Sequence, residues 1–290
     1  MHSTLRTVVL FGTLILLFMF IGYVIGYFFM ADPLYGMFFF LGLAALMNLI
    51  AYFFSSSIVL RSYRAKIVTQ NEAPRLHKVV SSICLKSDLP MPRMAIVPSQ
   101  TPNAFATGRN KKNAVVAVTE GILTLLDDDE LEGVLAHEMA HVRNRDILVM
   151  SAAATIAGAI GFAASSARWS LFLGNSRNNG NALILLLVAI TVPIAALLVQ
   201  LAISRNREYE ADYEGATMIQ RPLSLARALQ KLEQANRNNP MRRGNPASAS
   251  LFIVNPFRGA GVISLFMTHP PIESRVRRLR ALAEQTGQLR

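Results

Sequence analysis

Thr7 to Met30 runs for about 24 residues without a charged side chain, and after the short tip Ala31 to Leu34 the stretch Tyr35 to Phe54 adds about 20 more. At ~1.5 Å per residue each can cross a hydrocarbon core of ~30 Å as a helix. Together they predict a transmembrane hairpin over 7–54. A cleaved signal peptide would have a shorter apolar region and a small-residue exit, and would leave the second stretch unexplained. Ile147 to Ala167 and Ala182 to Ile203 are also uncharged. The first is crowded with Ala152, Ala153, Ala154, Ala157, Gly158 and Gly161, small residues that let membrane helices pack closely. Pro193 does not exclude a span, because neighbouring helices can satisfy the carbonyl it frees. The alternative for these two stretches is a buried helical hairpin in a soluble core. The chain is 52% hydrophobic and only 16% charged, too apolar for an ordinary soluble domain, so the expectation is a second transmembrane hairpin over 147–203 and four spans in all.

Net charge is +11, and its placement separates nucleic-acid binding from membrane topology. Of 29 Lys and Arg, one is Arg6, 12 lie from Arg61 to Arg145 and 14 from Arg205 onward; Arg168 and Arg177 alone remain for the loop between the last two stretches. With four spans the poor segments face one side and the rich ones the other, as the positive-inside rule requires. This predicts a bacterial cytoplasmic membrane protein, multi-pass, with both termini and the middle segment cytosolic, embedded in the lipid bilayer and with no nucleic-acid partner. Cys84 is the single cysteine, which permits no internal disulfide and suits a reducing compartment.

Residues 61–146 and 204–290 lie outside the spans, each short for a free-standing domain, and are expected to fold together as one α+β unit of a mainly α chain. Leu76, Val79, Val80 and Ile83 give Ala73 to Ser87 a helical period, while Met94 to Val97 and Ala114 to Val118 read as strands. Asp127, with Glu130 three residues on, reads as a capping box opening the next helix. Leu223 to Gln234 reads as a helix. Asn236 to Gly261, rich in Asn, Pro, Gly and Ser, reads as a mobile loop. Pro270 and Pro271 open a last helix through about Glu284, with Arg275, Arg277, Arg278 and Arg280 as a solvated or lipid-headgroup face.

His137-Glu138-Met139-Ala140-His141 places two imidazoles one helical turn apart on one face, the spacing at which both bind a single zinc ion. Glu138 stands where it can take a proton from water at that metal. Asp128 to Glu132 before the motif, and Arg143, Arg145 and Asp146 after it, keep it out of the bilayer. A catalytic zinc takes three protein ligands and a water, so a third donor must come from elsewhere. His141 precedes the third apolar stretch by about six residues and Glu208 follows the fourth by about five. Continued as helices, both stand about 8 to 9 Å above the membrane, level with each other in an antiparallel pair. Asp212, one turn beyond Glu208, is placed to hold the free ring nitrogen of a liganding histidine. Glu210 points about 200° away from Glu208 on the same helix and cannot share its metal.

His137-Glu138-x-x-His141 together with Ser204-Arg205-x-x-Glu208-Tyr209-Glu210-Ala211-Asp212, flanked by these apolar stretches, resembles the HtpX family of membrane metalloproteases, whose more distant relatives include the CAAX prenyl endopeptidases. The resemblance covers nearly the whole chain. It implies a zincin-like cytosolic domain and one Zn2+ per chain on His137, His141 and Glu208. It also implies Glu138 as general base and acid, and a role in quality control of membrane or misfolded proteins under stress. Asn103-Ala104-Phe105-Ala106-Thr107-Gly108 resembles the family's substrate-binding edge strand, where an extended polypeptide can be held by strand addition. Thr268-His269-Pro270-Pro271 followed by Arg275 resembles its second conserved site; His269, assisted by Arg275, is expected to stabilise the oxyanion. His2 and His77 belong to no such pattern.

The expected activity is that of a zinc endopeptidase without a covalent intermediate, in which Glu138 takes and then delivers the proton. Purely structural zinc is the first rival, but structural sites use four ligands and leave no open position. A transporter is the second, and the spans carry no charge to mark an ion path; Asn48 is a strongly polar candidate within them.

Overall fold

The computed structural model describes residues 3–29, 32–157, 205–241, 251–255 and 270–288. Helix α1 (Ser3–Phe29) and helix α2 (Pro33–Ser62) form the expected first hairpin. Asp32 caps α2 by accepting the N–H groups of Leu34 and Tyr35 at 2.9 and 3.2 Å, and Pro33 occupies the first turn, where its missing N–H costs nothing. A Cβ on Gly36 would strike the carbonyl oxygen of Gly22 and lie 2.7 Å from the Cα of Gly26, so glycine here lets the two backbones touch. Asn48 donates to the Phe11 carbonyl at 3.3 Å, joining the helices to each other rather than marking an ion path. Leu16, Phe20, Phe38 and Phe54 are all more than half exposed, an apolar surface of the kind a bilayer covers. Thr7–Tyr27 and Pro33–Ser62 are the two described stretches long and apolar enough to cross a membrane.

Four strands make one sheet in the order β1 (Lys66–Val68), β2 (Arg93–Val97), β4 (Val115–Thr119), β3 (Ala104–Thr107). β1 is antiparallel to β2, β2 parallel to β4 and β3 antiparallel to β4, with Phe105 opposite Ala117. β3 is therefore an edge. Alternate side chains divide between two cores. Met94, Ala104, Val116 and Val118 pack with helix α3 (Pro74–Ser87), helix α5 (Asp128–Arg143) and helix α8 (Pro222–Asn238), through residues such as Ile83, Leu131, Leu135 and Leu229. Ala95, Val97, Phe105 and Ala117 face the other way, into a cluster with Leu10, Leu14, Val59, Tyr63 and Val149. The sheet is thus buried on both faces, which is why Val115–Thr119 shows no polar alternation.

A short helix α4 (Glu120–Leu125) leads to α5, which opens on the expected capping box: the Glu130 N–H donates to Asp127 at 2.8 Å and the Asp127 N–H to Glu130 at 3.2 Å. Helix α6 (Asp146–Ala157) follows at once. Unlike α1 and α2, its apolar residues, among them Ile147, Ala152, Ala153 and Ala157, are buried. The rest of the expected second hairpin lies outside the described residues. Helix α7 (Arg205–Ile219) and α8 then pack on α5, and helix α9 (Ile272–Gln285) packs on α8 and α7.

Two expectations need correction. Leu251–Asn255, placed by composition within a mobile loop, is an ordered segment whose Leu251, Phe252, Ile253 and Val254 are buried. Its apolar side chains outweigh the polar residues around them: Phe252 lies against Phe105 and Tyr63 at ring distances of 5.1 and 4.9 Å. On α9, Arg277, Arg278 and Arg280 are exposed as expected, but Arg275 is wholly buried.

Candidate metal centre

Helix α5 is buried from Glu130 to Val142, so His137, Glu138 and His141 are all removed from solvent. Helix α7 lies directly on it because position 215 is glycine: a Cβ there would sit 2.7 Å from the main-chain nitrogen of His137. That close approach brings Glu208 and Asp212 level with the two imidazoles. Glu208 Oε2 is 3.7 Å from His137 Nε2, and Glu208 Oε1 is 3.5 Å from His141 Nε2. The three donor atoms fall within 4.8 Å of one another. Tetrahedral zinc with bonds of ~2.0 to 2.1 Å would hold adjacent donors about 3.3 Å apart, so two imidazole nitrogens and a carboxylate converging at these distances fit such an ion. Glu210 is exposed, as the helical register requires.

The orientation of His137 is set from behind. Its Nδ1 stands 2.9 Å from Asp212 Oδ1, so Nδ1–H donates to the carboxylate and the Nε2 lone pair is left for a metal. Asp212 is gripped in turn by Arg275, whose Nε and Nη2 donate to its two oxygens at 2.7 and 2.6 Å, a bidentate pair. Arg275 Nη1 also donates to the Ile253 carbonyl at 2.8 Å. Burial raises the Asp212 carboxyl's pKa, but Arg275 outweighs it and holds the group below the usual carboxylate range. Burial pulls His137 down to about 4, against the pull of Asp212; the ring is therefore neutral, as a ligand must be.

His141 is served by residues that the sequence reading assigned no such role. Asp146 Oδ2 lies 3.6 Å from His141 Nδ1, and Arg207 Nη1 lies 3.3 Å from Asp146 Oδ1, both side chains buried. Burial works against charge on His141, yet Asp146, Glu208 and Glu138 together raise it to about 10. As a metal ligand, His141 would give up that proton. Asp146 entered the sequence reading only as a charge excluding the bilayer. The signal that could have found it is its position one tight turn beyond the motif, where Arg145 adopts φ 59°.

Glu138 is buried, and that burial is the main cause pushing its carboxyl up to about 7; His141 opposes the shift and Glu208 adds to it. The Ala106 backbone of the edge strand faces the Glu138 carboxyl and pulls against that rise. Of the residues expected to bind substrate, Ala106 is therefore the one whose backbone faces the reacting group. Asn103 and Ala104 are committed elsewhere: the Asn103 side chain donates to the Val254 carbonyl at 2.5 Å, and the Ala104 carbonyl accepts the Ile253 N–H at 3.2 Å. The chain's own 251–255 segment thus covers that end of the edge. Phe105 points into the core beneath the sheet. Arg275, expected to touch substrate beside the oxyanion, is instead enclosed and fully engaged by Asp212 and Ile253, which makes it a positioning residue. His269 and His2 lie outside the described residues, and His77 Nε2 rests 3.2 Å from the Val68 carbonyl, away from the site.

A buried His-Glu-x-x-His helix, a third carboxylate on a neighbouring helix and a buried glutamate of raised pKa beside an edge strand are the arrangement of a metallopeptidase. Residues 70–283 match the model of peptidase family M48. The chain belongs to that family and, within it, to the HtpX proteases. It is 51% identical to a protease HtpX homolog of Pyrococcus abyssi over 98% of this chain and 97% of that one. It is 48% identical to one of Syntrophobacter fumaroxidans over 97% of this chain and all of that one. The crystal structure of S. mikatae Ste24p aligns with a TM-score of 0.48 at 18% identity, over 96% of this chain and 64% of that one. The protein is a membrane-associated metalloprotease.

Proposed function

We propose that the protein is a zinc endopeptidase that cleaves membrane or misfolded proteins at the cytosolic face of a cytoplasmic membrane, in stress-related quality control. The observation that carries this reading is the convergence of His137, His141 and Glu208 beside Glu138, whose carboxylate meets the edge strand at Ala106. Zinc, held by the three ligands, would supply Lewis-acid polarisation of a carbonyl and would lower the pKa of a water towards about 7. Glu138, held near neutrality by burial, accepts a proton and returns it to the leaving amine. Asp212 and Arg275 hold the His137 ring in one tautomer and orientation. A substrate drawn out along the edge strand presents its backbone beside Ala106. His269 is assigned to the oxyanion on the family resemblance.

The exposed apolar hairpin supports membrane proteins as substrates, since it keeps the site close to the bilayer. The charge distribution supports a cytosolic site with both termini inside. A fusion reporter at Asn178 is then external and one at the C-terminus cytosolic; a cytosolic reporter at Asn178 would remove the second hairpin. The function itself is tested by purified Glu138→Gln, which keeps about one zinc per chain but loses cleavage of an unfolded membrane protein by several orders of magnitude, because an amide cannot take the proton. Near-normal cleavage by that variant would rule the mechanism out.

A further inference from the structure

A cavity of about 430 Å³, well separated in role from the metal centre, opens between the start of α1, the start of α6 and the loop joining β3 to β4. Thr7, Arg109, Asn110, Lys111, Lys112, Arg145 and Leu148 line it. Four of the seven are cations and none is an acid, although the chain carries 18 Asp and Glu. The nearest carboxylate in sequence, Asp146, is turned inward to His141 and Arg207. Four like charges around one hollow repel one another unless an anion lies among them.

The place of the cavity is equally specific. Thr7 is the first residue of the apolar span of α1, and α1 runs antiparallel to α2, so this end lies on the catalytic side. Leu148 is in the first turn of α6, whose Val149 and Ala153 share a buried cluster with Leu10 and Leu14 of α1. Arg109 stands 5.7 Å over the ring of Phe53 on α2, and that ring is half exposed on the lipid-facing surface. The cations therefore ring a hollow between two apolar helices at the depth where a membrane's headgroups begin. Basic pockets in that position take acidic lipid headgroups.

We propose that this cavity binds the phosphate of an anionic membrane lipid, with Arg109, Lys111, Lys112 and Arg145 around the headgroup and the acyl chains running along α1. The proposal rests on the membrane association of the hairpin and not on the chemistry of the metal site. It has a structural consequence for that site. The loop carrying Arg109 to Lys112 joins β3 to β4, and Ala106 on β3 meets Glu138. Asp146, beside Arg145, meets His141. A lipid seated here would fasten both approaches to the metal centre to the bilayer.

The test is a titration of the full chain in neutral detergent with phosphatidylglycerol, phosphatidylcholine or inorganic phosphate, reading bound lipid by native mass spectrometry and thermal stability alongside. Phosphatidylglycerol should bind at least about tenfold more tightly than phosphatidylcholine. Lys111→Gln with Lys112→Gln, both in a surface loop, should lower its affinity about 25-fold, at about fivefold per basic residue, and leave phosphatidylcholine unchanged. Arg145→Asn, which suits a left-handed backbone, should lower it about fivefold by itself. Arg227→Gln with Arg237→Gln, equal in charge loss but on α8, should change nothing. Equal binding of the two lipids, or an unchanged affinity in both loop and Arg145 variants, would overturn the proposal. So would inorganic phosphate reproducing the full stabilisation, which would make this a free-anion site.

Discussion

His137 and His141 leave the same helix one turn apart and are equally buried, yet they are held by different means. Behind His137 stands Asp212 at 2.9 Å, itself clamped by two hydrogen bonds from Arg275 on another helix. Behind His141 stands Asp146 at 3.6 Å, which belongs to the next helix of the same continuous stretch and is approached by Arg207 at 3.3 Å. The first arrangement ties three distant parts of the chain together, α5, α7 and α9, and adds the Ile253 carbonyl. The second is local between His141 and Asp146 and reaches beyond that stretch only through Arg207 on α7. A contact at 3.6 Å lies beyond hydrogen-bonding distance, so Asp146 orients its imidazole less firmly than Asp212 does. The difference teaches that the His137 side of the centre doubles as a tertiary lock, whereas the His141 side mainly serves the metal.

Substitutions can break or sharpen that contrast. The largest effect is expected for Arg275→Met, which leaves the Asp212 charge buried without its partner and should cost about 3 to 5 kcal/mol of stability. Thermal or denaturant unfolding in the presence of a chelator would show it; a loss below about 1 kcal/mol would mean that the lock is not structural. Asp212→Asn comes next, weakening zinc affinity about 10- to 100-fold, as removal of a carboxylate behind a liganding histidine does. Asp146→Asn should weaken zinc by no more than about tenfold, the lower end of the same range. Competition with a chromophoric chelator ranks the two. A greater loss for Asp146→Asn than for Asp212→Asn would reverse the comparison.

The same contrast explains what could be read from the sequence. Glu208 and Asp212 were legible because helical rise and register are local rules: an acid at the right height, with a second acid one turn along. The capping box at Asp127 and the strands at 93–97 and 115–119 were legible for the same reason. Asp146 was not, because its approach to His141 depends on the left-handed turn at Arg145, and its charge was already accounted for by membrane topology. Arg275 was misplaced because adjacency in the sequence groups it with Arg277, Arg278 and Arg280, although on a helix Arg277 points about 200° away from it; it shares the buried face of α9 with Ile272 and Leu279. The role of Leu251–Asn255 along the edge strand was hidden by its loop-like surroundings, since pairing across about 150 residues leaves no local trace.

The central claim is that one buried site is made by His137, His141 and Glu208, and its most direct test is the zinc content of Glu208→Ala beside Glu210→Ala, purified in detergent and checked for retained helicity. Both lose one carboxylate from α7, but Glu208 faces the two imidazoles and Glu210 faces solvent. The expected result is about one zinc per chain in Glu210→Ala and loss of most of it in Glu208→Ala, because two histidines alone do not hold the ion tightly. Zinc retained in Glu208→Ala and lost in Glu210→Ala would contradict the assignment and the register of α7 against α5 on which it rests.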